Sequence, residues 1–141
     1  MNEYTLSIIF NKSCDKVLMC WHTKQQAYNF IGGKICPGEL DKEASYREVF
    51  EETGITREDI TLCFLREERV IVNKLLYKDD WRMYITYGVL KRDIVELKEG
   101  ENRLVWVCLN DKCIDTDSMG YGNCRVFLNE ALEILNRECV L

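Results

Sequence analysis

The sequence predicts a single α/β domain, built on a mixed β-sheet with few helices. Three observations carry this reading. The 141 residues suit one domain and are enough to bury a core. A chain that is 47% apolar and 30% charged has the composition of a globular protein. Stretches with a period of two dominate, and only two stretches have helical period, in the order β-β-loop-α-β-β-β-α.

The elements follow in chain order. "YTLSIIF" (4–10) is β-branched and apolar and reads as a strand. "DKVLMCW" (15–21) follows after the turn-like "NKSC", so the two resemble a hairpin. Residues 22–29 are polar and loop-like, and Gly32-Gly33 reads as a tight turn. Residues 41–53 predict a helix, with Asp41 as its cap and Gly54 after its end. Strand-like alternation runs through 60–72. It returns in 79–90, with Trp81, Met83, Ile85 and Tyr87 on one face, and again in 102–109. The last stretch, 123–138, spaces Val126, Phe127, Ala131, Leu132 and Leu135 as an amphipathic helix does.

A net charge of −5 argues against nucleic acid as the main partner, which usually meets a basic face. It leaves room for a small phosphorylated ligand, because a metal ion can supply the positive charge. No apolar run approaches the ~20 residues of a membrane span, and the first residues lack the basic start of a signal peptide. The expectation is a cytoplasmic protein with no membrane contact. Eight cysteines accompany a single histidine, without zinc-site spacing. They read as reduced thiols, mostly small core residues, with the reactivity of Cys36 left open.

The chemistry concentrates on the first helix. Glu48, Glu51 and Glu52 fall on one side of it, at i, i+3 and i, i+4 spacings. Like charges so placed cost a helix about 0.2–0.5 kcal/mol per pair, and carboxylates in the last turn oppose the macrodipole. A divalent cation removes the conflict. Mg²⁺ takes hard oxygen ligands and shares its remaining sites with substrate phosphates, so the cluster points to phosphoryl chemistry. At Gly32 and Gly33 the absence of side chains lets the backbone approach a ligand or metal.

Gly33, Glu39, Arg47-Glu48-Val49, Glu51-Glu52 and Gly54-Ile55 stand at the spacing G-x5-E-x7-R-E-U-x-E-E-x-G-U, with U aliphatic, and all nine specified positions match. This resembles the Nudix box of the Nudix hydrolases, a MutT-like family. The resemblance implies an α/β/α sandwich with a mixed sheet in one domain spanning 1–141, and Mg²⁺ as cofactor, with Mn²⁺ able to substitute. It implies Glu48, Glu51, Glu52 and the Gly32 carbonyl as metal ligands, and Arg47 as the residue that orients the carboxylates. Glu39 would brace the loop–helix turn and Gly54 would end the helix left-handed. Two positions depart from common family usage: Cys36 replaces a frequent glutamate, and Leu40 replaces a capping hydroxyl residue.

In several members a glutamate outside the box accepts the proton. Glu99 is the first choice here and Glu101 the second, in "ELKEGENRLVWV", with Glu48 as competitor. Asn29 resembles a purine-reading asparagine, with Trp21, Tyr28, Phe30 and Trp81 as stacking candidates and Asp115 and Asp117 as further base contacts. His22, Lys24 and Lys34 are candidate phosphate contacts. The implied reaction converts a nucleoside triphosphate, with oxidised purines such as 8-oxo-dGTP among the candidates, to monophosphate and pyrophosphate. Two alternatives stay open: an ADP-ribose or dinucleoside polyphosphate pyrophosphatase, and a non-catalytic nucleotide sensor. The expected partner is a nucleotide or nucleoside-diphosphate-linked small molecule, and the expected state a monomer or homodimer.

Overall fold

The computed structural model describes residues 2–23, 26–70, 80–93, 96–98, 103–115 and 124–139. Among the described residues seven strands form one sheet: β1 (Asn2–Phe10), β2 (Lys16–His22), β3 (Ala27–Asn29), β4 (Ile31–Lys34), β5 (Cys63–Val70), β6 (Trp81–Val89) and β7 (Arg103–Cys108). Helix α1 spans Asp41–Thr53 and helix α2 spans Cys124–Cys139. The main path through the sheet is β3-β2-β1-β6-β5, with β4 also on β1 and β7 also on β2. The sheet is mixed because β1 and β6 run parallel, from Asn2↔Trp81 to Phe10↔Val89, while the other pairings are antiparallel.

Strand alternation sorts the core into two layers. Leu6, Ile8 and Phe10 of β1, Val17 and Met19 of β2, and Met83, Ile85 and Tyr87 of β6 pack with Phe127, Leu128 and Ala131 of α2. Ile9, Leu18, Cys20 and Ile31 turn to the opposite face and pack with Val49 of α1 and with Ile55, Ile60 and Leu62. The sheet is therefore covered by one helix on each face. Among the described residues no helix is long and apolar enough to cross a membrane.

Three readings change. Residues 27–29 and 31–34 are strands rather than loop and turn, because β2 and β1 supply partners for their backbones. Asp41 does not cap α1. Leu40 holds the cap position, with no side-chain hydrogen bond, and Asp41 is the first helical residue. The described cysteines are free thiols, but only Cys20 and Cys124 are buried; Cys36, Cys63 and Cys108 are exposed.

Candidate active site

The site forms where α1 crosses the glycines of β4. Gly33 pairs with Thr5 across the β1–β4 ladder. A Cβ at Gly33 would run into the Glu48 carboxylate. Neither Gly32 nor Gly33 has a positive φ, so their role is close approach rather than a special turn. The left-handed position is Gly54, at φ 81°, whose N–H donates to the Phe50 carbonyl and closes α1.

Arg47 ties the loop to the helix with all five of its N–H donors. Nε donates to Glu39 Oε2 at 2.7 Å, and Nη2 donates to Glu39 Oε1 at 2.9 Å and to the Lys34 carbonyl at 3.0 Å. Nη1 donates to Glu48 Oε1 at 2.9 Å and to Glu51 Oε2 at 3.1 Å. Glu39 also accepts from the Cys36 N–H at 3.1 Å, which braces the loop before the helix. The Arg47 guanidinium and this backbone donor together hold the Glu39 carboxyl down at about 2. Glu43, one turn from Arg47, pairs instead with Arg57.

The carboxylates differ in electrostatic setting. Burial pushes Glu52 up to about 7, with Glu48 adding repulsion, while a hydrogen bond to the Gly32 backbone pulls the other way. Burial also raises Glu48, against the stabilising Arg47 guanidinium. Among the described residues no three His, Cys, Asp or Glu side chains converge into a ready metal cage, and Arg47 engages two of the three box carboxylates. The donor set nevertheless fits a hard divalent cation. It consists of carboxylate oxygens held against a glycine backbone that leaves space where a side chain would stand. A cation there would offset the burial, and the lesser Glu48 repulsion, that hold Glu52 high.

Of the other candidates, only some fall within the described residues. Asn29 is buried, and its Oδ1 accepts from the Phe30 N–H at 2.8 Å and faces the Cys124 thiol at 3.5 Å, in the layer under α2. Trp21 meets Tyr28 edge-on, and Trp81 lies against Tyr4. His22 ends β2, half-buried, and burial lowers its pKa. Lys34 is exposed and enters the site through its carbonyl. Asp115 pairs with Arg125 at 2.9 Å. Lys24, Glu99, Glu101 and Asp117 lie outside the described residues. Just before Glu99, the Lys98 N–H donates to the Thr53 carbonyl at 2.9 Å, which fixes 96–98 at the C-terminal end of α1. Sequence reasoning missed this tie and also missed Arg82, whose only local signal is a charge inside an alternating strand.

The NUDIX domain family matches residues 2–118 of this chain. The chain belongs to the NUDIX family. Among relatives, it is similar to an RNA pyrophosphohydrolase of Pseudomonas fluorescens, at 37% identity over 57 residues, covering 40% of this chain and 36% of that protein. The NUDIX chain thus spans about a third of the length of the first curated relatives it matches. Its fold is similar to that of a C. elegans Ap4A hydrolase in a binary complex, with a TM-score of 0.75 at 19% identity, covering 96% of this chain and 98% of that one. It is also similar to the E. coli dihydroneopterin triphosphate pyrophosphohydrolase, with a TM-score of 0.69 at 19% identity, covering 91% and 92%.

Proposed function

We propose that this NUDIX chain is a divalent-metal-dependent hydrolase that cleaves a pyrophosphate bond in a nucleotide. The observation that carries the reading is the Glu48 carboxylate set against Gly33, on a helix that also carries Glu51 and Glu52, with Arg47 fastening Glu48 and Glu51 to the preceding loop. The name of the P. fluorescens relative supports the same bond class. Glu48, Glu51, Glu52 and the Gly32 carbonyl would hold Mg²⁺ or Mn²⁺. That ion supplies charge neutralisation at phosphate oxygens and a more acidic water.

The rest is done by the chain. Arg47 holds Glu48 and Glu51 in place, so these two ligands need little reorganisation when the substrate arrives. Glu99 takes the proton from the attacking water. Its support is position: it follows the segment that Lys98 ties to the end of α1. His22 and Lys34 contact phosphate, and Asn29 reads the base. The preferred substrate is a nucleoside triphosphate, oxidised purines such as 8-oxo-dGTP included, giving monophosphate and pyrophosphate. A dinucleoside polyphosphate or ADP-ribose is the second reading.

The test is a hydrolysis panel with Mg²⁺ across (d)NTPs, 8-oxo-dGTP, ADP-ribose, dinucleoside polyphosphates and 5′-triphosphorylated RNA, with products resolved. Pyrophosphate release from a triphosphate supports the first reading. Preference for a two-nucleoside substrate moves it to the second. No turnover on any of them refutes hydrolysis and favours a sensor.

A further inference from the structure

Helix α1 is weakly held by apolar burial. Its buried residues are Ala44, Ser45, Val49 and Thr53, of which only Val49 is a sizeable apolar side chain. The sheet surface beneath it includes a buried Ser7–Thr86 hydroxyl pair at 2.8 Å. An interface in which Val49, with half-buried Tyr46 beside it, is the one sizeable apolar side chain that α1 buries gives few interlocking side chains to fix how far a helix rolls or slides. Its placement then depends on directional contacts at particular points.

Arg82 supplies such a contact at the start of the helix. It sits on β6, with a side chain only 11% exposed. Nη2 donates to Asp41 Oδ1 at 2.6 Å and Nη1 to Asp41 Oδ2 at 3.0 Å, a two-pronged grip on the first residue of α1. The same guanidinium donates to Glu3 of β1 at 3.1 Å and to Glu67 of β5 at 2.7 Å. One side chain therefore joins the helix start to three adjacent strands. The grip is aligned with the chemistry. Glu48 lies seven residues beyond Asp41 and Glu52 eleven, within about 20° either side of it around the helix. A roll at Asp41 is passed directly to both carboxylates.

We propose that Arg82 is a positioning residue for the carboxylate helix: by clamping Asp41 it sets the roll and height of α1, and so the placement of Glu48 opposite Gly33 and of Glu52 one turn further on. The inference rests on the function proposed above and names a residue outside its box.

Four variants and one control test it, with Mn²⁺ affinity read by electron paramagnetic resonance on protein plus Mn²⁺ alone, and kcat and KM on the substrate found by the panel. Arg82→Met and Asp41→Asn should each weaken Mn²⁺ binding and lower kcat by about 10–100-fold, the usual cost of losing a group that orients metal ligands. KM for the nucleotide should stay within about twofold, since neither side chain is placed against it. The double variant should be no worse than the poorer single, because both remove one contact. Arg82→Lys, which cannot grip both oxygens, should recover only part of the loss. Arg57→Met, which removes the partner of Glu43 on the same helix, should change neither readout. If Arg82→Met does not fold, Asp41→Asn carries the test, because it leaves Arg82 on Glu3 and Glu67. Lowered Tm with Mn²⁺ affinity and kcat unchanged would make Arg82 a plain structural brace and overturn the proposal, as would losses that add in the double variant. A wild-type protein that binds Mn²⁺ but hydrolyses nothing sinks the function above and leaves the Mn²⁺ comparison to decide Arg82. One that binds no Mn²⁺ sinks both.

Discussion

Gly33 and the Glu48 carboxylate occupy neighbouring space, and a single methyl group at Gly33 takes the room the carboxylate uses. Gly33→Ala should therefore fold, since the end of a glutamate side chain can swing aside. Its kcat should fall about 100-fold, the scale of a 1 Å misplacement in a site, as steady-state kinetics beside a melting curve will show. Glu52→Gln keeps shape and removes a charge. It should lose at least about 100-fold in kcat with an unchanged circular dichroism spectrum, the scale of removing a principal electrostatic stabiliser. Glu39 speaks to pH. Its carboxyl is depressed from 4.5 to about 2 in the folded protein, so the stability it contributes is present above pH 4.5 and is lost as pH falls toward 2. Glu39→Gln should accordingly be less stable than wild type to urea at pH 7, with the gap closing at low pH. A gap that stays constant with pH would show that the carboxylate charge is not what braces the loop.

At the scale of elements, α1 ends because Gly54 turns left-handed. Gly54→Ala should cost about 1 kcal/mol or more, the penalty of placing a Cβ in that region, measurable as a shift in the urea midpoint. This helix end was legible in the sequence; its start was only half so. The spacing from Gly33 to Ile55 marks the helix and its carboxylates, but Asp41 looks locally like a cap. Its carboxylate is instead drawn to Arg82, 41 residues away, a partner no local pattern reveals. Strands β3 and β4 stayed hidden for a related reason. They are three and four residues long, β4 contains two glycines, and their pairing comes from β2 and β1 rather than from their own propensity. The longer alternating strands and α2 were readable because burial on one face repeats often enough to leave a period.

For the whole molecule, the expectation is that EDTA abolishes hydrolysis and that Mg²⁺ or Mn²⁺ restores it. Either ion should also raise Tm in a concentration-dependent way, because an ion that binds only the folded state stabilises it by mass action. Undiminished turnover in chelator would refute the proposed chemistry. The α/β class was visible in the order of periodic stretches, whereas the sheet path was not, because β1 finds its parallel neighbour across most of the chain. Ser7 meets Thr86 79 residues later. That distance matters before the protein is finished. Synthesis proceeds at about 5–20 residues per second, so β1 waits on the order of ten seconds for β6 to be made. During that wait one side of the most central strand, "YTLSIIF", is open to any other strand nearby. The nascent chain is thus most at risk of aggregating through β1, and a chaperone that shields nascent chains should raise its soluble yield more than it speeds refolding of the finished protein.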